Sequence, residues 1–241
     1  LMNETEIMYR QTDIWKIFRY NAFTLSQKNM WNYGGTPFSN NASLRWQSMT
    51  MNRYEWDVKE TFAWNWLDSR LLRGGPDVRF GSYFLTSAKF NTDKAKRMMF
   101  MLKYEGDHNF EGNRFNTISP SLTFRLGNHV YLSGQLDYAW NTDEMQYVAT
   151  TSPLSSSSLT PYYYVMGHMD QKTYGLTLKL QVNVTPDISI QFYGAPFTSI
   201  AKYDDFKLAA DTKSHTFENR FQRIDPDHLT YVDGVYTIGE G

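Results

Sequence analysis

The feature that most constrains this chain is a two-residue alternation of oily and wet side chains. Over residues 130–140 the even positions read Val130, Leu132, Gly134, Leu136, Tyr138 and Trp140. The odd positions between them read Tyr131, Ser133, Gln135, Asp137 and Ala139. Successive side chains of a β-strand point to opposite faces, so this segment carries one apolar and one polar face. The rhythm returns along most of the chain. It is the pattern of a transmembrane β-barrel, whose greasy face meets lipid and whose polar face meets a lumen.

Composition is compatible with that reading. Mean hydropathy is negative, but a barrel needs apolar residues only at alternate positions. The densest apolar run, residues 98–102, is five long, far below the roughly 18–20 that a spanning helix needs. Aromatic residues make up 17% of the chain, including seven Trp and 17 Tyr. Such side chains favour the membrane–water boundary, where a ring sits in the apolar layer and its polar tip stays wet. A formal charge of −1 argues against a nucleic-acid surface. With no Cys, disulfide frameworks, thiolate zinc sites and thiol nucleophiles are excluded together. The start, Leu1-Met2-Asn3-Glu4-Thr5-Glu6, lacks the basic and apolar regions of a signal peptide, so the chain reads as a mature protein or an internal fragment.

Turn chemistry divides the chain into about ten strands. A short first strand ends near Arg10, and a long second runs over residues 15–33. Residues 34–41 form a loop around Gly34-Gly35-Thr36-Pro37. Strands over 42–51 and 54–66 flank a tight turn at Asn52-Arg53; in the second, Tyr54, Trp56, Val58, Phe62 and Trp64 share a face interrupted by Glu60. A long loop over 67–81 holds Arg73-Gly74-Gly75-Pro76. Strands over 82–90 and 97–105 follow, then a loop over 106–113, a strand over 115–126 and a turn at Gly127-Asn128. Pro120 sits on the apolar face of that strand, where it cannot donate to a ladder and marks a bulge or a reversed face. Residues 141–171 read as a long Ser- and Tyr-rich connection. A strand over 173–183 and another from Ile188 flank Thr185-Pro186-Asp187. Residues 198–241 are assigned weakly, as polar loop plus a hairpin at Asp233-Gly234.

Tight connections near Thr12, Asn52, Thr92, Gly127 and Pro186 therefore alternate with longer ones near Pro37, Gly74, Asn109 and Ser155. In an up-and-down sheet all the short ones lie on one side, as the periplasmic turns of outer-membrane barrels do. Soluble β-sandwiches also alternate. Strands of about 9–12 residues, suited to a tilted crossing, tilt the balance toward the membrane. So do aromatic residues near strand ends, such as Trp64 and Trp140.

The segments Tyr164-Val165-Met166-Gly167-His168-Met169-Asp170-Gln171-Lys172-Thr173 and Gln191-Phe192-Tyr193-Gly194-Ala195-Pro196-Phe197 go beyond pattern. With Thr185-Pro186-Asp187-Ile188-Ser189, Leu72-Arg73-Gly74-Gly75-Pro76 and Gln146-Tyr147-Val148-Ala149-Thr150-Thr151, they resemble one family. It is a domain-of-unknown-function barrel of Bacteroidota, the C-terminal outer-membrane domain of proteins that usually begin with a domain similar to family-nine carbohydrate-binding modules. The resemblance runs from about residue 13 to 207. It implies an outer-membrane barrel of a Gram-negative bacterium, larger than this chain. No catalytic residue is carried over, and sugar binding is not transferred.

Candidate chemistry is sparse. His108 with Asp107, Asn109 and Glu111 has no EF-hand spacing and reads as a solvated loop. Asp204-Asp205, and Asp225/Asp227 with His228, lack an enclosing pocket of the kind general catalysis needs. Arg73-Gly74-Gly75-Pro76 lacks the Gly-Lys-Ser/Thr ending of a phosphate loop; a loop folded into the lumen as a constriction is the sharper reading. Lys103, Arg125, Asp137, Lys179 and Gln191 are the lumen-facing candidates, and their mixed signs point to a salt-bridged interior.

The expectation is thus an all-β, antiparallel, up-and-down transmembrane barrel segment, one domain over 1–241, incomplete as a barrel. It is expected in the outer membrane, without enzymatic activity or cofactor, serving solute passage or as a membrane platform for an attached domain or partner. Its partners would be the lipid bilayer and lipopolysaccharide leaflet, and other outer-membrane proteins or missing barrel strands to cover its edges. A soluble, carbohydrate-directed β-rich binding module is the alternative, and a barrel-embedded hydrolase ranks third.

Overall fold

A computed structural model describes residues 1–35, 37–64, 66–127, 129–151, 163–185, 187–225, 227, 229–232 and 235–238. Sixteen strands occur among them: β1 (Met2–Gln11), β2 (Phe18–Trp31), β3 (Pro37–Thr50), β4 (Glu55–Trp64), β5 (Trp66–Asp68), β6 (Val78–Phe80), β7 (Tyr83–Asn91) and β8 (Met98–Asn109), followed by β9 (Arg114–Leu126), β10 (Val130–Thr151), β11 (Tyr163–Thr185), β12 (Ile188–Gly194), β13 (Phe197–Ala209), β14 (Phe221–Arg223), β15 (Leu229–Val232) and β16 (Val235–Ile238). Twelve of them form one antiparallel sheet in the order β1-β2-β3-β4-β7-β8-β9-β10-β11-β13-β14, with β12 also on β11.

Chain passes are fewer than strands. β12 pairs with the second half of β11 (Leu178 opposite Gly194) and β13 with the first half (Gly175 opposite Phe197). Both pairings keep the same register, so β12 and β13 are one line of chain interrupted at Ala195-Pro196. The Leu176 N–H still donates to the Pro196 carbonyl there, at 3.0 Å. The sheet thus consists of ten successive up-and-down passes plus the three-residue β14.

The ten passes end in two edges, β1 and β12–β13, and these do not pair with each other among the described residues. The chain folds as an open sheet, not as a closed barrel. The polar segment expected beyond Phe197 is instead the 13-residue β13. Backbone pairing needs no apolar side chains, so polarity concealed the strand. The apex of the expected hairpin, Asp233-Gly234, lies outside the described residues, although β15 and β16 flank it in register.

Strands also run further than their alternation. β10 continues eleven residues past Trp140 to Thr151, and β11 begins at Tyr163, so most of the expected 141–171 connection is paired strand. Its Ser155 tip lies outside the described residues, as do Thr36, Asn128 and Pro186 of other expected turns. β8 likewise extends to Asn109 and leaves only residues 110–113 as the loop, and β3 begins at Pro37 inside the expected 34–41 loop. The first turn is longer than expected and reaches Ile17, where a bridge joins Trp15 to Phe18. At Pro120 the β9–β10 ladder skips Ser119–Pro120 but resumes in the same register at Ile118 opposite Tyr138. There is no bulge and no reversed face.

The largest connection, between β4 and β7, folds back as the small β5–β6 hairpin. Asp68 Oδ1 accepts the N–H groups of Arg70 and Leu71 at 2.7 and 3.1 Å and so starts the turn. Arg73 (φ 48°) and Gly74 (φ 106°) then adopt left-handed backbone. This places Leu72 and Val78 in a buried cluster with Met145 of β10, Met166 of β11 and Phe221 of β14. The Arg73 guanidinium lies 4.6 Å from the Tyr147 ring centroid. Gly75 fits because it has no Cβ, which would lie 2.6 Å from Tyr164 Cζ and 2.8 Å from Leu72 Cβ. Gly75→Ala is therefore expected to lower stability by about 1–3 kcal/mol. Limited proteolysis should then cut at Arg70 or Arg73 before anywhere in the sheet; unchanged cleavage would show that the hairpin is not held by this contact.

Candidate functional site

Register decides which side chains meet. From β1 to β10 every interior pairing holds one register, and shifts fall only at strand ends or beyond Asp143. Because side chains alternate with period two, a constant register keeps each face pure across the sheet. All five expected lumen-facing residues fall on the same face. Lys103 lies opposite Ser119, Arg125 opposite Tyr131, Asp137 opposite Gly175, Lys179 opposite Ser133, and Gln191 opposite Gln181.

The five do not form one network. Lys103 pairs with Glu105 at 2.7 Å. Asp137 accepts Ser119 Oγ at 2.5 Å and Gln135 Nε2 at 2.8 Å. Arg125 donates to the Lys94 carbonyl at 3.1 Å, and Lys179 lies 5.6 Å from the Tyr193 ring centroid. Of the five, Lys103 forms a salt bridge; Arg45 and Asp57, 2.5 Å apart on the same face, form another. The face is polar and locally paired rather than salt-bridged throughout.

At the end carrying the long connections this face lines a half-open cavity of about 510 Å³. Its lining runs from Asn41 of β3 through Ala63, Tyr83, Leu85, Asp107, Asn109 and Phe115 to Asn141 and Asp143 of β10, with Asp68 and Phe80 from the β5–β6 hairpin. Five inter-strand steps separate β3 from β10, about 24 Å if the sheet were flat. One cavity reaches both because the sheet curls, with the polar face on the inside, and because the hairpin crosses the opening. The residues expected to form a constriction, Arg73, Gly74, Gly75 and Pro76, belong to the connection that carries this hairpin. Arg73 and Gly75 themselves rest on Tyr147 and Tyr164 rather than on the cavity wall.

Two carboxylates stand out in the cavity. Both lie beyond the apolar alternation of their strands, which ends at Tyr104 in β8 and Trp140 in β10. Burial raises the Asp107 pKa, and the Asp143 charge raises it further. Burial also raises that of Asp143, against the hydrogen bond that its Oδ1 accepts from the Met145 N–H at 2.8 Å. Asn113 Oδ1 accepts the Glu144 N–H at 2.6 Å, while its buried Nδ2 has no partner among the described residues. The alternation extended two residues past Asn141 would have placed Asp143 on this wall; the sequence pointed to an inward-folded loop but not to the β5–β6 hairpin within it.

The surrounding end is locked by charged groups, of which Arg220, Glu144 and Lys207 were not singled out in the sequence reading. Arg220, 1% exposed, sits in a 3-10 turn over Glu218–Arg220. Its Nη1 and Nη2 grip Glu111 Oε2 and Oε1 at 3.0 and 2.6 Å. Its other donors reach the carbonyls of Ser214, Arg79 and His215 at 2.8, 2.7 and 3.2 Å. All five N–H groups of the guanidinium are thereby used. Nearby, His168 Nδ1 meets Glu144 Oε1 at 2.9 Å, and buried Lys207 lies 3.8 Å from Glu144 and 3.6 Å from Asp205.

These contacts correct the reading of residues 106–113 as a solvated loop: Glu111 is gripped by Arg220, and His108 stacks on Phe84 with centroids 5.6 Å apart. His108 pairs with Arg114 in the ladder and so faces away from Asp107. Asp204 pairs with Lys202 at 2.9 Å, and Asp205 with Lys207 and Arg223 at 3.6 and 3.4 Å. Asp225 Oδ1 caps the Asp227 N–H at 3.0 Å, and His228 lies outside the described residues.

Arg220→Met leaves Glu111 buried without its partner and is expected to cost about 3–5 kcal/mol. The urea unfolding midpoint measures this, and adding Glu111→Gln should recover part of the loss. Burial works to lower the His168 pKa, but hydrogen bonds with Glu144 and Asp170 outweigh it and raise the value. The stabilisation is then complete below the unfolded histidine value of about 6.5 and fades as pH rises through the folded one. His168→Gln should therefore cost most near pH 5.5 and little near pH 8.5, by the same unfolding assay.

No curated protein and no solved structure matches the chain. A family model does, over residues 2–232, a longer stretch than the 13–207 on which the resemblance rested. It covers every strand of the sheet and both carboxylates of the cavity, so the chain belongs to the family described as Domain of unknown function (DUF5916).

Proposed function

We propose that the chain is a wall of an integral outer-membrane β-barrel that passes solutes, its polar face lining the lumen and its apolar face in lipid. One observation carries the reading: the face opposite the cavity is apolar and uncovered across the sheet. Ile7, Leu25, Leu44, Leu136, Phe192 and Ile200 on it are each more than half exposed. Soluble monomers rarely leave a contiguous apolar patch larger than a few hundred Å² in water. In lipid the same face is favourable, by roughly 1.5–3 kcal/mol for each large side chain removed from water.

The free edges fit the same setting. An unpaired strand edge costs several kcal/mol per backbone group in hydrocarbon, so β1 and β12–β13 are taken up by further strands, from the same polypeptide or from a neighbouring outer-membrane protein. Short connections then face the periplasm, and the long paired extensions of β10 and β11 rise through the lipopolysaccharide leaflet. The hairpin-bearing connection narrows the outer mouth of the passage.

Two measurements test the proposal. Leu136→Arg, on the apolar face midway along residues 130–140, should destabilise the chain refolded into lipid vesicles by about 2–4 kcal/mol. Gln135→Arg, one residue along on the polar face beside Asp137, should cost less than 1 kcal/mol. Equal costs, or release of the native chain from membranes by high salt without detergent, would overturn the reading.

A further inference from the structure

We propose that the cavity beneath the β5–β6 hairpin is a binding site for an organic cation, a solute with an ammonium or guanidinium group on an apolar body. The proposal goes beyond the membrane reading and does not depend on it, since the cavity exists whatever covers the outer face. Its walls are of two kinds. Phe80, Tyr83 and Phe115 supply aromatic surface, and aromatic faces attract cations as well as apolar groups. Asp107 and Asp143 supply negative charge half out of water, each made costlier by burial and Asp107 also by its neighbour's charge. A carboxylate in such a place is stabilised by a cation beside it.

Among the described residues, the cavity's own walls do not direct such a cation at the two carboxylates. Arg114 borders the cavity, but it pairs with His108 in the ladder and so directs its side chain to the opposite face. His168 and Lys207 act on Asp143 from outside the lining, and both are engaged with Glu144. His108, which acts on Asp107, stacks on Phe84 on the outer face. The remaining polar lining is largely carboxamide, from Asn41, Asn109, Asn113 and Asn141. Asn113 Nδ2, buried and without a partner, offers a donor to a carbonyl or hydroxyl elsewhere on the solute. Among the described residues no three His, Asp or Glu side chains converge as metal ligands. A volume of about 510 Å³ suits a small organic molecule.

Tryptamine, tryptophol and indole-3-acetate share a ring and differ in charge, so they separate charge recognition from apolar filling. Calorimetric titration of the full chain in detergent should show tryptamine binding at low-millimolar concentration or tighter, with tryptophol and indole-3-acetate at least tenfold weaker. Asp107→Asn and Asp143→Asn should each weaken tryptamine about tenfold, the loss of one charge-assisted contact, with the circular dichroism spectrum unchanged. Equal affinity for tryptamine and tryptophol would overturn the proposal. So would undiminished tryptamine binding in the double variant, or no binding at roughly 10 mM. Flotation of the same samples with lipid vesicles tests the membrane reading separately, so failure of one leaves the other standing.

Discussion

Everything else in this molecule depends on register that does not slip. From β1 to Asp143 of β10 the passes of chain are joined by pairings that hold one register everywhere but at the two ends of β2. A shift of one residue at any of them would carry a strand's polar set to the apolar face. Short turns fix the register locally, and at Asn52-Arg53 the turn uses a left-handed Arg53 (φ 59°) to reverse the chain. Only then can one curved face collect Ser, Thr, Asn, Asp and Lys from distant parts of the sequence while the other stays oily.

Where the register does slip, the molecule changes character. The shifts after Asp143 in β10, and between Met166 and His168 in β11, fall where the long strands rise past their alternating segments. A bulge re-aims the side chains that follow it. Met145 and Met166 meet Leu72, Val78 and Phe221 there, in a small core that an open sheet otherwise lacks. Arg220 and Glu111 weld the same region with a fully used guanidinium fork. A buried pair of this kind adds little net stability over an apolar substitute but fixes geometry, since breaking it is costly. Here it fixes the residues that close one end of the polar face over Asp107 and Asp143.

The two carboxylates sit uneasily in that enclosure. Burial disfavours their charged forms, so they subtract from stability at neutral pH rather than add to it. Their sense lies in the cation that we propose they meet in the cavity. The hairpin that encloses them is itself placed by Gly75, which touches Tyr164 where a methyl group would not fit. A glycine in an irregular connection thus reaches the site through packing alone.

By itself the sequence determined the strand class, the two faces and the membership of Lys103, Arg125, Asp137, Lys179 and Gln191 in one of them, because alternation is a local property of the backbone. It also placed the tight turns near Asn52, Thr92 and Gly127, which rest on local Asn, Asp and Gly chemistry. It could not mark where β8, β10 and β11 end or that β13 exists, since hydrogen bonding between strands continues after the side chains stop alternating. The curl that brings Asn41 near Asp143, the hairpin across the opening, the Glu111–Arg220 grip and the failure of β1 to meet β13 were decided only in three dimensions. They join residues 100 or so positions apart, such as Glu111 and Arg220 at a separation of 109, and no local pattern encodes which distant partner a buried charge will find.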